Sequence, residues 1–304
     1  MKKLILILFL LAAAAACVEA AEKNVIPLEE TRNVSTVTVR VGDVVIPRIL
    51  LDTGFAFDGL MIYKPSYRDS LDLTKAIEVK IPGAGSGAPS TALMIDSASF
   101  YLGNIQLVNQ RIIVLQSDTY KGFPSNGIIG YSIFGHYATE LNYDDGTIVL
   151  HESGKAKVDE SWTAIPLYFK DNNIPWMEVS VVIEDEEPIS LSTYIDYAAR
   201  DAIELLERPG MKFSLPKDTV SAHLGRGLSG DIYGKTGTIS KLIIRPYALK
   251  AVKATIAPAR VRSKQKDADA ILGVGSLRRF NLIFDYANKV LYLKPNKRFG
   301  DPFE

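Results

Sequence analysis

The 304-residue chain has a single cysteine, Cys17, and three histidines. Cys17 ends an apolar leader, so the folded body beyond it has neither a disulfide nor a thiol nucleophile. His136, His151 and His223 are scattered without metal-ligand spacing, and each reads as a surface or partly buried histidine. No Gly-x-Ser-x-Gly occurs, which removes the usual serine-hydrolase elbow. Gly234-Lys235-Thr236 lacks the earlier glycine of a phosphate loop, a position held here by Ser229, and a strand-like run follows it. Net charge is also missing. With 35 basic and 35 acidic side chains, no general field draws in nucleic acid or anionic lipid. No nucleic-acid partner, metal or cofactor is expected, and Trp162 and Trp176 read as core or cleft-wall aromatics.

What is present begins with the leader. Lys2 and Lys3 precede an apolar run over 4–16, too short to span a bilayer stably. This is the order of a secretory signal over 1–20. Val18-Glu19-Ala20 offers a small-x-small cleavage site before Ala21. Lipid attachment at Cys17, with membrane anchoring, is the alternative, although Ala14 stands where bacterial lipoproteins usually carry Leu. Both outcomes imply export from a bacterial cytoplasm to the periplasm, the medium or a membrane surface.

The remaining chain, in a sequence 47% hydrophobic, can bury a sizeable core and suits one large or two medium domains. Three landmarks recur in order. Ile49-Leu50-Leu51-Asp52-Thr53-Gly54, Gly127-Ile128-Ile129-Gly130 and Leu141-Asn142-Tyr143-Asp144 in the first half answer to Tyr194-Ile195-Asp196-Tyr197-Ala198, Ala270-Ile271-Leu272-Gly273 and Phe284-Asp285-Tyr286 in the second. Asp52 precedes Gly130 by 78 positions and Asp196 precedes Gly273 by 77; each glycine precedes its tyrosine, Tyr143 or Tyr286, by 13. Three landmarks whose two spacings agree within one residue point to an internal duplication. Each half is read as short strands broken by turns such as Gly42-Asp43 and Asp144-Asp145-Gly146, with short helices at 132–137, 199–207 and 276–280. The expected fold is all-β: a lobe over 24–152, a linker over 153–163 and a second lobe over 164–304.

These segments resemble the retropepsin-like and pepsin-like aspartic proteases, in which an apolar strand leads to Asp-Thr/Ser-Gly and an apolar-apolar-Gly element follows later in the lobe. The resemblance covers about 34–152 and 164–295. It implies two β-barrel lobes, a peptide or protein substrate, a monomer that supplies both carboxylates itself, and an aspartic-type endopeptidase with Asp52 and Asp196 as the catalytic pair. Two carboxylates held close cannot both ionise, so one acts as base and the other as acid; the family is the usual example of this effect. Gly54 would present its amide to Asp52, and the Thr53 hydroxyl would lock the two loops together.

The second loop departs from the pattern, with Tyr197 for Thr and Ala198 for Gly, and Arg200 nearby. A catalytically degenerate relative that binds peptide or another ligand between the lobes is therefore the alternative. Gly83, Ala84, Gly85, Ser86 and Gly87 form an expected flexible hairpin tip, placed where the family closes a flap over substrate. Gly225-Arg226-Gly227-Leu228-Ser229-Gly230 takes the matching place in the second half, where Arg226 reads as solvated.

Overall fold

The computed structural model describes residues 25–303 except 86, 118–119, 121–122, 171, 185 and 262–266. The expected signal segment with Cys17, and Ser86 of the hairpin tip, lie outside the described residues. The chain is all-β. Its first half forms β1 (Val25–Pro27), β2 (Glu29–Thr31), β3 (Val34–Val41), β4 (Val44–Leu51), β5 (Gly59–Ile62), β6 (Ile77–Ile81), β7 (Ser90–Leu102), β8 (Ile105–Leu115), β9 (Gly127–Ile129), β10 (Tyr137–Asn142) and β11 (Thr147–Glu152). The second forms β12 (Thr163–Pro166), β13 (Tyr168–Phe169), β14 (Pro175–Val182), β15 (Ile189–Asp196), β16 (Ile203–Glu207), β17 (Val220–Gly227), β18 (Gly230–Ile244), β19 (Tyr247–Pro258), β20 (Ala270–Gly273), β21 (Phe280–Asp285) and β22 (Val290–Pro295). One-turn helices α1 (Pro65–Arg68), α2 (Tyr131–Phe134) and α3 (Val274–Leu277) interrupt them.

Two eight-stranded sheets share one strand order. The first runs β2-β3-β4-β9-β5-β8-β7-β6 and closes through β3–β7; the second runs β13-β14-β15-β20-β16-β19-β18-β17 and closes through β14–β18. In each, the strand that ends at an aspartate lies parallel to the glycine-bearing strand: β4 on β9, and β15 on β20. A six-stranded sheet, β1-β11-β10-β21-β22-β12, joins the halves with three strands from each. Its seam pairs Thr139 with Phe284, Glu140 with Ile283 and Leu141 with Leu282.

The alternation of the sequence explains which faces are buried. In β11 and β22 every second residue, Ile148 and Leu150 or Leu291 and Leu293, is turned into the core. One apolar cluster runs through both halves, from Leu51 and Phe134 to Ile195, Tyr197 and Phe284. Each fully buried side chain of this size contributes about 1.5–3 kcal/mol. Phe134 meets Phe284 edge-on at 5.1 Å, on the interface between the halves.

Two expected helices shorten to single turns, at α2 and α3. The helix expected over 199–207 is instead the strand β16. Its run Ile203-Glu204-Leu205-Leu206 is buried on both faces, between parallel β19 and antiparallel β20. A central strand loses the alternation that marks a half-exposed one, even the charged Glu204 being buried here, and helical spacing carries no information there.

Candidate active site

Asp52 follows the last residue of β4, and its amide donates to Ile129 O at 2.9 Å, extending the parallel pair with β9. The Gly54 amide donates to Asp52 Oδ1 at 2.7 Å. Gly130 lies against this loop so closely that a Cβ would overlap the carbonyl oxygens of Asp52 and Phe55. That contact explains why the later glycine accompanies the aspartate. The second site repeats the arrangement. Asp196 pairs in register with Gly273, where a Cβ would overlap Asp201 O. The Ala198 and Ala199 amides both donate to Asp196 Oδ1 at 3.1 Å. Ala198 thus supplies the same amide as Gly54, and its methyl packs half-buried against the core.

The two loops meet through Thr53, which is 2% exposed. Its hydroxyl donates to Ile195 O at 2.7 Å and accepts from Tyr197 N at 3.0 Å. Those groups flank Asp196 on either side, so one side chain ties the first aspartate loop to the second. The Tyr197 phenol returns no equivalent bond upward. It is fully buried, and its hydroxyl is hydrogen-bonded to the Tyr143 hydroxyl. Arg200 is exposed.

Aromatic residues line the first half beside Asp52. Phe55, Tyr63 and Tyr120 are buried in one cluster with Phe57 and Phe123 against it. The Tyr63 hydroxyl bonds Ser125 Oγ. Burial pushes the Tyr63 and Tyr120 phenols up, and the Asp52 carboxylate adds to both shifts. Trp176, Tyr194, Ile232, Ala257 and Val261 form a second apolar cluster, which Ala56 and Ala84 of the first half touch. Sequence reasoning missed Tyr63, Tyr120 and Phe123, since no repeat spacing marks them; an aromatic closing the β5 strand was the only signal.

Hairpins from the two halves meet tip to tip. Ser229 N donates to Ala84 O at 2.8 Å, Gly87 N to Ser229 O at 2.6 Å, and Ser90 Oγ to Leu228 O at 2.8 Å. Gly83 N reaches Ser229 Oγ at 3.2 Å. A Cβ on Gly87 would lie 2.5 Å from Ser229 O, and one on Gly85, where φ is +111°, 2.6 Å from Ser229 C. Glycine serves close backbone approach here, in addition to the flexibility expected of it. Arg226, beside this tip, is not simply solvated. It grips Asp231 with Nε at 2.7 Å and Nη2 at 2.9 Å, and His223 Nε2 adds a contact at 3.0 Å. Hydrogen bonds from Arg226, then His223, hold the Asp231 carboxyl down at about 2.

The other histidines also sit beside carboxylates: His136 Nε2 is 2.6 Å from Asp58 and His151 Nε2 is 2.8 Å from Glu140. Among the described residues, no group of three or more His, Cys, Asp or Glu is arranged to hold a metal ion. Comparison with known proteins finds no matching family model and no matching curated protein.

Proposed function

We propose that the chain is an exported aspartic-type endopeptidase that hydrolyses peptide bonds with a water activated between Asp52 and Asp196. The observation that carries the reading is the Thr53 hydroxyl, which bonds both backbone groups flanking Asp196. Asp52 and Asp196 each stand at a strand end and accept hydrogen bonds from the amides that follow, and Thr53 brings their two loops together. Neighbouring carboxylates favour sharing one proton, because a second charge close by is costly. The ionised member takes a proton from water as its oxygen attacks the peptide carbonyl carbon. The protonated member donates to the carbonyl oxygen, and a proton then passes to the leaving amine. The met hairpins and aromatic walls suit exclusion of bulk water during this exchange.

A second reading is favoured by Tyr197 and Ala198 standing where the resemblance expects Thr and Gly: a non-catalytic protein that holds peptide or another ligand between the halves. The purified mature protein, incubated with a denatured mixed substrate from acid to neutral pH, decides between them. Cleavage suppressed by pepstatin supports the peptidase; no cleavage at any pH supports the binder. Export belongs to the same proposal. An N-terminus at Ala21 or a lipid on Cys17, read by mass spectrometry of the cell-made protein, supports it, and an intact Met1 in the soluble cytoplasmic fraction defeats it.

A further inference from the structure

Tyr197 and Thr53 stand at equivalent positions, each directly after its aspartate. Thr53 spends its hydroxyl on the opposite loop, whereas Tyr197 carries its hydroxyl away from that junction. The phenol runs into the core between Phe134, at 6.2 Å, and Phe284, at 5.8 Å. There its hydroxyl meets Tyr143 OH, which also bonds Ser35 Oγ at 2.7 Å. Ser35, Tyr143 and Tyr197 are 1%, 4% and 0% exposed. Ser35 and Tyr143 belong to the first half and Tyr197 to the second, so this buried chain crosses between the halves.

The other side of the molecule provides an internal control. Tyr286 is the counterpart of Tyr143, lying at the same distance beyond its glycine. Its hydroxyl is buried with no hydrogen-bond partner among the described residues. The counterpart of Tyr197 there is Thr53, whose hydroxyl is already engaged. The counterpart of Ser35 is Pro175: Ser35 precedes Thr36, paired with Leu50, and Pro175 precedes Trp176, paired with Tyr194. Proline has no side-chain hydroxyl to offer. The same scaffold tyrosine is therefore orphaned on one side and doubly bonded on the other. The fold alone does not create the chain of hydroxyls; Ser35 and Tyr197 do.

We infer that Tyr197 is a positioning residue, whose hydroxyl bond to Tyr143 anchors the Asp196 loop to the first half in place of a second threonine lock. Thr53 holds the loop backbone from one side and the phenol holds it from the other. The Ala198 and Ala199 amides that bond the Asp196 carboxylate follow directly on this doubly held residue. A hydrogen bond of this kind, closed off from water, is expensive to leave unmade. The kinetic part of the inference rests on the proposed peptidase reading; the structural part does not.

The test removes single hydroxyls and keeps the rings, through Tyr197→Phe and Tyr143→Phe, with Ser35→Ala at the far end as a milder variant. Amide hydrogen exchange by NMR reads the loops directly. In Tyr197→Phe, exchange at Ala198 and Ala199 is expected to quicken about tenfold, the scale of one lost hydrogen bond, with Gly54 unchanged. Tyr143→Phe should do the same at these two amides while also releasing Ser35, and the double variant should be no worse than Tyr143→Phe alone, since each single variant already lacks the Tyr143–Tyr197 bond. In peptide cleavage, kcat should fall with KM nearly constant, and the pH limb assigned to the carboxylate pair should shift. Wild-type exchange at Ala198 and Ala199, equal quickening at Gly54, or additive effects in the double variant would overturn the inference. If the wild type cleaves nothing, the peptidase reading falls while the exchange data still decide this one.

Discussion

Ser229 of the second half and Ala84 of the first are joined by a backbone hydrogen bond of 2.8 Å at the meeting of the two hairpin tips. On the peptidase reading, these joined tips would act as the flap over the aspartates and would have to part for a peptide to enter. With Ala84→Cys and Ser229→Cys together, closing a disulfide there is expected to cut cleavage of a folded-size substrate at least about tenfold, since closure is part of such cycles only when it reverses. Reductant should restore the rate. Equal rates in both redox states would show that substrate enters elsewhere.

Asp52→Asn and Asp196→Asn each keep the shape and the acceptor oxygen but cannot take or give the proton. Both are expected to lower cleavage by about 10²–10⁴-fold with little change in Tm, because the amides of Gly54, Ala198 and Ala199 retain an acceptor. Loss in Asp52→Asn alone would make Asp196 a bystander and end the shared-proton scheme.

Tyr197→Thr restores the small hydroxyl of the resemblance, yet it is expected to weaken the protein. The phenol fills space against Phe134 and Phe284, and removing a buried ring of this size costs about 3–5 kcal/mol. Urea denaturation with an unchanged midpoint would mean that the core closes around the gap.

Alkaline pH should also unfold the protein cooperatively. Burial pushes Tyr143 up to about 12, and Tyr197 and Tyr286 well above their ordinary value. Folded-state values raised above the unfolded value of about 10 mean that the native state holds protons the unfolded chain releases. Their contribution is complete below pH 10 and is lost as pH rises through the folded values. Phenolate absorbance and far-ultraviolet circular dichroism should therefore change together above pH 10. Titration of these tyrosines near pH 10 with the fold intact would contradict their burial.

The all-β character was legible because turn chemistry and alternation act locally. Gly42-Asp43 separates β3 from β4, Asp144-Asp145-Gly146 separates β10 from β11, and the glycine landmarks lie where their strands pass beneath the aspartate loops. β16 was misread because a strand buried on both faces loses the alternation that identifies strands. Tyr197 was legible as a departure and illegible as a contact. Its partners, Tyr143 and Ser35, lie 54 and 162 positions away in the chain, and only the folded core brings them together. The Tyr63–Tyr120 wall was hidden for the same reason.

The seam between β10 and β21 has a consequence for either half produced alone. Cut within 153–162, the first half would present β10 as an open edge, with its row of unpaired amides and carbonyls and the apolar Leu141 facing a missing neighbour. The second would present β21 in the same way, with Leu282 and Phe284. Since β10 and β21 hold answering positions on either side of the middle of the six-stranded sheet, each fragment already holds an approximate copy of its lost partner. A solitary half should therefore find its own kind and close across a two-fold axis, burying β10 against β10 where the intact chain buries it against β21.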